Sequence, residues 1–344
     1  MTREELLARR WSALLLNQAA ASPEAVVTAL TAVQAQDFGQ SLLALAIRTG
    51  ADTARSVEAV LDSGAVIRTH VLRPTWHLVP RDDLRWLMAL TGPAVARLAG
   101  TQYRRWGLTG EVLAQSRRVL ERALRDGPAT RKELNEALSG AGLPVDENRS
   151  SHHLVDAELN LLICSAPRQG KAVAYDLVDR RVPAAPAVPR DEALARLALR
   201  FVKGHGPATD KDFSWWSGLG LLDARRGLQA CRPALNTEPY EDGEVWLDPS
   251  QPAGSTAGFR WLPAYDEYVI AFADRSPVMD PPLFDRAFTK NGIFLPLLLH
   301  DGRAVGTWSR LKGKPLTVDW FTSVPPGAAE AIADWSAFLG KFEE

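Results

Sequence analysis

The tetrapeptide GPAT occurs at residues 127–130 and again, letter for letter, at residues 206–209. In both places a helical pattern precedes the tetrapeptide and further helical patterns follow it, so the match extends beyond four letters. A chance recurrence is the alternative, because the chain is rich in proline and glycine. The matched flanking helices favour internal duplication, and a duplicated chain is built from small modules rather than around one continuous core.

Each predicted module combines helices with a pair of β-strands. In the first module, helices over 23–33 and 40–48 and a short third helix precede strands at 65–72 and 75–79. This order is typical of a winged helix, which is a helix-turn-helix followed by a β-hairpin wing. The same order recurs in the second module and, with one candidate strand at 244–247, in the third.

The last part of the chain is predicted to be rich in β-structure. Strands are predicted at residues 259–262, 268–271, 293–299, 304–310 and 316–321, before a closing helix. Between two of them, the Asp301-Gly302 pair is typical of a type I′ hairpin turn. The fold class is therefore α+β, with three tandem winged-helix units and a β-rich C-terminal part. The predicted domains are 1–108, 109–182, 190–250 and 255–344, with a proline-rich linker between the second and the third.

Charge sets limits on nucleic-acid binding. The chain has 40 basic and 41 acidic residues, so it is not a polycation. Residues 1–130 nevertheless contain 16 arginines, no lysine and 12 acidic residues. Binding to nucleic acid must therefore come from local patches, and arginine suits forked contacts to phosphates and bases. The alternative is that the arginine excess reflects genomic base composition.

Several classes of protein are excluded by features that the sequence lacks. No stretch approaches the roughly 18 uninterrupted apolar residues of a membrane span, and the N-terminus lacks the apolar region of a secretion signal. Cys164 and Cys231 are too few and too far apart for a disulfide framework or a zinc site. No phosphate-binding loop, dinucleotide fingerprint or zinc-protease motif occurs. We therefore expect a cytoplasmic protein that uses no metal and no cofactor.

The tightest polar cluster is Gln34-Ala35-Gln36-Asp37. In an extended backbone the side chains of Gln34 and Gln36 share one face, whereas in a helix they diverge by about 200°. A joint chemical role therefore requires a non-helical backbone at this point. The alternative is a solvated helix end, and for Asp37 we favour the role of N-cap of the following helix.

A second cluster, residues 68–77, places two histidines, two arginines and a tryptophan in the predicted first wing. Such a wing can contact phosphates and a groove. The alternative, which we favour on spacing alone, is a half-buried hairpin with Trp76 in the core and hydrogen-bonded histidines. The candidate DNA contacts are Arg68, His70, Arg73, Thr75 and His77, together with Arg149 at the start of a helix in the second unit.

A third cluster is the stretch LPAYDEY at residues 262–268, followed by Asp274 and Arg275. Three carboxylates near a strand could hold a metal or act as acid and base. A structural turn, with Asp274 and Arg275 as a local ion pair, is the interpretation that we prefer. The tryptophan pair at 215–216 suits a core better than a base-stacking platform.

Four stretches together resemble one known family, the AlkZ-like (YcaQ-like) winged-helix proteins. They are VQAQDF at 33–38, RTHVLRPTWHLVPRDD at 68–83, LPAYDEYVIAFADRS at 262–276 and GTWSR at 306–310. The combination is specific to the family although no single stretch is, and it spans almost the whole chain. The resemblance implies three tandem winged helices and a β-rich C-terminal part, arranged as a C around a DNA-sized concave surface.

The family contains bacterial DNA glycosylases, some of which give self-resistance to DNA-alkylating antibiotics. Its catalytic motif is Gln-x-Gln in one branch and Gln-x-Asp in the other. The resemblance therefore implies that Gln34 and Gln36 are the catalytic pair. It also implies a β-hairpin that projects toward the duplex, for which the turn formed by Asp301, Gly302 and Arg303 is the candidate.

The expected activity is hydrolysis of the N-glycosidic bond of bulky N7-alkylated purines in double-stranded DNA, by a monomer. Such a purine is already cationic, so its departure needs little acid catalysis. Glutamine carbonyls can then orient water and stabilise positive charge on the sugar. A bulky adduct would not fit a snug base-flipping pocket, so we expect an open cleft. The alternatives are a non-catalytic DNA-binding regulator and a scaffold for protein contacts.

Overall fold

The structure is a computed structural model and describes residues 1–51, 53–289, 291–311 and 314–343. Its helices are α1 (Arg3–Ala13), α2 (Pro23–Leu30), α3 (Phe38–Thr49), α4 (Ala54–Asp62), α5 (Leu84–Arg105), α6 (Gly110–Ala123), α7 (Arg131–Gly140), α8 (Glu147–Leu159), α9 (Val178–Arg181), α10 (Arg190–His205), α11 (Asp210–Ser217), α12 (Leu221–Ala230), α13 (Glu267–Ile270), α14 (Phe284–Ala287) and α15 (Ala328–Phe342). Its strands are β1 (Val33–Gln34), β2 (Val66–His70), β3 (Trp76–Pro80), β4 (Ala129–Thr130), β5 (Ile163–Gln169), β6 (Ala172–Leu177), β7 (Asn236–Tyr240), β8 (Gly243–Leu247), β9 (Phe259–Leu262), β10 (Leu297–His300), β11 (Arg303–Ser309) and β12 (Thr317–Trp320). Among the described residues, no helix combines the length and the apolar character that crossing a membrane requires.

Two compact units divide the chain, and each is assembled from separate stretches of sequence. The first unit comprises Met1–Glu58, Ala195–Trp216 and Gly220–Glu344. The second unit comprises Ala59–Leu194 and Ser217–Leu219. The four-domain division of the sequence describes repeated modules instead, and it stays a prediction.

The Ala-Thr half of the repeated GPAT tetrapeptide forms the same local structure in both places. In the second unit, Ala129 pairs with β6 and Thr130 caps the start of α7. In the first unit, Ala208 pairs with β8 and Thr209 stands directly before α11. In each case a short extended segment joins the hairpin that follows two helices later, which supports internal duplication.

Both threonines exchange hydrogen bonds with a carboxylate three residues later. Thr130 Oγ1 accepts from Glu133 N at 3.3 Å, and a Glu133 carboxylate oxygen accepts from Thr130 N at 2.7 Å. Thr209 Oγ1 accepts from Asp212 N at 3.0 Å, and Asp212 Oδ2 accepts from Thr209 N at 2.9 Å. Each exchange satisfies N–H groups that the helix itself leaves unpaired.

We expect Thr130→Ala to lower the free energy of unfolding by about 1 kcal/mol, because the cap at the start of α7 is lost. Ser139→Ala, at an exposed position of the same helix, is the control and should stay within about 0.5 kcal/mol of the parent. Urea titration followed by circular dichroism measures both. Equal stability of the two variants would contradict the role of Thr130.

The C-terminal part is a four-stranded antiparallel sheet in the order β12-β11-β10-β9. Helix α15 packs on it through tryptophans. Trp335 stacks on Trp261 of β9, with ring centroids 5.7 Å apart and planes 7° apart. It also meets Trp308 of β11 edge-on at 5.7 Å. The chain thus has a mixed helix-and-sheet fold with small antiparallel sheets, as predicted.

Of the strands predicted for this part, those at 259–262, 293–299, 304–310 and 316–321 overlap β9, β10, β11 and β12. The turn between β10 and β11 has φ of 51° at Asp301 and 80° at Gly302, which confirms the type I′ prediction. The predicted strand at 268–271 is wrong, because this stretch forms the short helix α13, capped by the Asp266 side chain. In the third module the sequence indicated one wing strand, and the structure adds β7, whose polar composition and Pro239 concealed it.

Candidate active site

The glutamine cluster lies between two helices on a backbone that is not helical. After α2, Thr31 has φ of 69°, which turns the chain out of the helix into β1. A bend at Gln36 follows, and α3 begins at Phe38. Asp37 is the N-cap, because its Oδ1 accepts from Gln40 N at 3.1 Å. The non-helical backbone that a joint role of the glutamines requires is present, and the capping role of Asp37 is confirmed.

The two glutamines differ in exposure. Gln34 is 5% exposed, whereas Gln36 is exposed. Among the described residues, no group donates a hydrogen bond to Gln34 Oε1. A buried acceptor without a partner costs roughly 1–3 kcal/mol, so this atom is one whose hydrogen bond a water or a ligand atom would complete. The expected shared accessible face is therefore only partly present, because Gln34 is nearly covered.

A buried carboxylate holds the backbone of Gln34. Glu267 Oε1 accepts a hydrogen bond from Gln34 N at 2.8 Å. Its other oxygen, Oε2, accepts from the indole N–H of Trp216 at 3.2 Å and lies 3.3 Å from His205 Nε2. Glu267 is 1% exposed. The strand that ends at Gln34 is thus tied to α10, α11 and α13 through one side chain.

The neighbouring carboxylate forms a buried ion pair. Asp266 accepts two hydrogen bonds from Arg48, both of 2.8 Å, and each side chain is 1% exposed. Arg48 also donates to Leu14 O at 2.8 Å and to Ala44 O at 2.9 Å. The forked guanidinium therefore locks α3 to the start of α13, next to Glu267.

A third contact joins the two stretches. Gln40 Oε1 accepts from Ala264 N at 2.8 Å. The next residue, Tyr265, has φ of 61°, a left-handed conformation that is uncommon for a residue with a Cβ. Burial raises the pKa of Tyr265, and the negative charge of Asp37 adds to the shift. Residues 264–267, which we call the acidic segment, therefore run alongside the glutamine cluster.

A cavity of about 570 Å³ opens beside Gln40 in the first unit. Polar residues of β11 and β12, including those of the GTWSR stretch, line much of it. They are Thr307, Ser309, Arg310, Thr317 and Asp319. Arg310 Nη1 is buried and donates to no described group, while its Nη2 lies 3.8 Å from Glu343 Oε2. Arg310 thus lines the cavity beside α3, while its unpaired Nη1 is itself covered.

The histidines of the first wing are packed inside the second unit. His77 is fully buried, and its Nδ1 lies 2.9 Å from Thr75 O. Burial lowers the pKa of His77 well below its usual value, and the charge of Arg73 adds to this. His70 Nδ1 lies 2.5 Å from Glu158 Oε2. Both rings fit the interpretation of a half-buried hairpin with hydrogen-bonded histidines. Neither is therefore part of the DNA interface that we propose.

The other candidate DNA contacts of the second unit, three in the wing cluster and Arg149 in α8, differ in exposure and in their partners. Arg68 is 9% exposed, and its guanidinium lies over the Trp76 ring at 4.1 Å. Arg73 and Thr75 keep partial exposure at the tip of the hairpin. Arg149 is partly exposed, but it donates to Trp106 O at 2.9 Å and to an Asp146 carboxylate oxygen at 2.6 Å.

The turn after β10 is anchored at two points. Gly302 is buried, and its carbonyl accepts from Tyr268 Oη at 3.0 Å. Arg303 is partly exposed and pairs with Asp280 at 2.5 Å. Asp301 is exposed.

A family model described as DNA glycosylase AlkZ-like matches residues 27–342. The matched range contains the glutamine cluster, the acidic segment and the GTWSR stretch. This chain belongs to the AlkZ-like family. The family is one of DNA glycosylases, which are hydrolases that act on N-glycosyl bonds.

Two relatives of this AlkZ-like chain come from Streptomyces sahachiroi. One is named interstrand DNA cross-link repair glycosylase and is 23% identical over 299 residues, which are 82% of this chain and 81% of the relative. The other is the solved structure of the DNA glycosylase AlkZ. It superimposes with a TM-score of 0.82 at 20% identity, over 99% of this chain and 96% of that one. At this identity the structural likeness establishes the fold.

Sequence reasoning missed Glu267 as a partner of the glutamine cluster. The structural-turn interpretation of its neighbourhood is correct for Asp266, which caps α13, and for Asp274, which accepts from Ser276 N at 2.9 Å. For Glu267 the pattern carried no signal, because its partner Gln34 lies 233 residues away. Within the described part of the chain, no three His, Cys, Asp or Glu side chains are grouped so that they could hold a metal ion.

Proposed function

We propose that this AlkZ-like protein hydrolyses the N-glycosidic bond of bulky N7-alkylated purines in double-stranded DNA. It would act as a monomer in the cytoplasm, in DNA repair or in self-resistance to an alkylating metabolite. The three helix-and-hairpin modules would be tandem winged helices, grouped around the duplex as the family resemblance implies. Gln34 and Gln36 would be the catalytic pair.

The observation that supports this proposal most is the unused acceptor of Gln34. Its Oε1 is buried and receives no hydrogen bond from any described group, although its backbone is held firmly by Glu267. Buried polar atoms are nearly always paired, so an unpaired one beside an exposed Gln36 indicates a place where a molecule outside the chain interacts with the amide oxygen. In a hydrolase that molecule is the attacking water or the reacting sugar.

The chemistry needs no strong acid on the protein. Water attacks C1′ of the deoxyribose, and the electrons of the N-glycosidic bond move to the purine. Because N7-alkylation has made the purine cationic, it leaves as a neutral base, and the attacking water loses its proton to solvent as the C1′ hydroxyl forms. Amide oxygens accept hydrogen bonds from the water and place their negative dipole ends near the positive charge that develops on the sugar. Glutamine is a poor base, so stable unmodified purines should be left intact.

We propose that arginines in local patches of modest positive charge hold the duplex. Arg73 and Thr75 at the wing tip and Arg310 beside the cavity are partly exposed, and we propose them for phosphate contacts. Arg68 and Arg149 are already engaged with Trp76 and Asp146, so we assign them supporting roles. Asp301, Gly302 and Arg303 remain the proposed hairpin contact.

The test is release of free base from a duplex that carries one bulky N7-alkylguanine. We expect the protein to release the modified base and to leave an alkali-labile abasic site, whereas an unmodified duplex of the same sequence stays intact. Chromatography of the released base and strand cleavage by alkali measure the two products.

Two results would overturn the proposal in different ways. Absence of base release together with a sequence-specific footprint would indicate a DNA-binding regulator. Absence of duplex binding even at low salt, where phosphate contacts are strongest, would indicate a scaffold for protein contacts.

A further inference from the structure

Glu267 is a carboxylate in the interior of the first unit with a specific set of neighbours. Its two oxygens face the Gln34 backbone N–H, the Trp216 indole N–H and the His205 ring at 2.8, 3.2 and 3.3 Å. Glu267, Trp216 and His205 are all at most 1% exposed. Burying a carboxylate is costly unless hydrogen bonds compensate for the lost water, and here the Gln34 and Trp216 N–H groups supply them, while His205 Nε2 lies close by without forming a hydrogen bond.

The two oxygens have separate tasks. Oε2 contacts the packed side chains of α10 and α11, whereas Oε1 accepts a hydrogen bond from the backbone of the glutamine cluster. A charge-assisted hydrogen bond from a backbone N–H is stronger and shorter than a neutral one. It fixes Gln34 through its main chain, while the side-chain amide oxygen accepts from no described group and is left for a reacting group.

We propose that Glu267 is the positioning residue of the AlkZ-like site: its Oε1 sets the location of Gln34 and thereby of the Gln34 amide oxygen. The inference rests on the proposed function, in which that amide oxygen takes part in catalysis. Glu267 itself is too deeply buried to touch the sugar. It acts on the reaction through geometry, and a misplacement of about 1 Å in a catalytic group can cost about 100-fold in rate.

Three substitutions separate geometry from charge and from packing. Glu267→Gln keeps the length of the side chain and one acceptor oxygen for the Gln34 N–H, but its NH₂ group would face the Trp216 indole N–H, so it is made together with Trp216→Phe, which removes that donor. Glu267→Asp keeps the charge but withdraws the carboxylate by one carbon–carbon bond, about 1.5 Å. Trp216→Phe removes the donor to Oε2 and leaves the contact between Oε1 and Gln34 in place.

The experiment measures single-turnover base release and duplex affinity for these variants and the parent. We expect Glu267→Asp to be about 100-fold slower with an affinity within about twofold of the parent, because positioning affects the reaction more than binding. Trp216→Phe alone and the Glu267→Gln, Trp216→Phe double variant should stay within about fivefold in rate. A fast Glu267→Asp variant, or a slow double variant that melts like Trp216→Phe, would overturn the inference.

If the parent releases no base, the proposed function is wrong, and the role of Glu267 is then tested by a spectroscopic measurement. The amide proton of Gln34 should resonate downfield in the parent and move upfield in the Glu267→Gln, Trp216→Phe double variant and in Glu267→Asp, because the charged acceptor is lost or withdrawn. Trp216→Phe alone should leave it in place. An unchanged Gln34 resonance in both Glu267 variants would show that Glu267 does not hold this residue.

Discussion

A Gln34→Ala, Gln36→Ala double variant is expected to lose base release while it keeps its fold and its affinity for duplex DNA. Removal of one electrostatic partner of a transition state typically costs about 100- to 1000-fold in rate. Loss of both amides should therefore lower single-turnover release by at least about 1000-fold. Duplex affinity depends mainly on neutralised phosphates, to which neutral amides contribute little.

Folding should tolerate this change better than most substitutions in a core. Gln34 is nearly covered, but its Oε1 has no described donor. Alanine therefore removes a buried acceptor whose missing hydrogen bond raises the free energy of the folded state. Gln36 is exposed and costs little. We therefore expect the loss of activity to occur without a matching loss of thermal stability.

The matched control is Gln18→Ala with Gln102→Ala, two exposed glutamines outside the cluster. This variant should release base at the parental rate. If the Gln34, Gln36 double variant were equally active, the catalytic assignment would be ruled out. If it were inactive but also unfolded, the Gln36→Ala single variant would decide, since its exposed side chain can be removed without disturbing the core.

Arg48→Ala should produce the largest loss of stability among the substitutions that we consider. It leaves the Asp266 charge buried without its partner, and breaking one side of a buried ion pair costs roughly 3–5 kcal/mol. It also leaves the carbonyls of Leu14 and Ala44 without the donor that they have in the parent. Urea titration of the variant and the parent gives their free energies of unfolding, and the difference measures the loss of stability.

Arg225→Ala is the control for this prediction. Arg225 pairs with Asp210 at 2.5 Å, but its side chain is 55% exposed. Exposed ion pairs contribute at most about 1 kcal/mol, so this variant should unfold close to the parent. A stability of Arg48→Ala within about 1 kcal/mol of the parent would show that water or a rearranged side chain compensates for the lost guanidinium.

The parts of the fold that could be predicted were those with local causes. A threonine followed three residues later by a carboxylate specifies a helix start by itself, and an Asp-Gly pair specifies its turn through positive φ. The strand predicted at 268–271 failed because its conformation is set from outside. Asp266, which caps that stretch, is itself held by Arg48, more than two hundred residues earlier.

The candidate site shows the same division. The sequence alone determined the cap at Asp37, the helix start at Thr130 and the turn at Asp301-Gly302, because these depend on neighbours in the chain. Only the tertiary structure decided that Gln34 is covered while Gln36 is exposed, that His70 and His77 face inward, and that Glu267 holds Gln34. Burial and charge pairing depend on which distant segments meet, and that choice is made by the packing of the whole unit rather than by any local pattern.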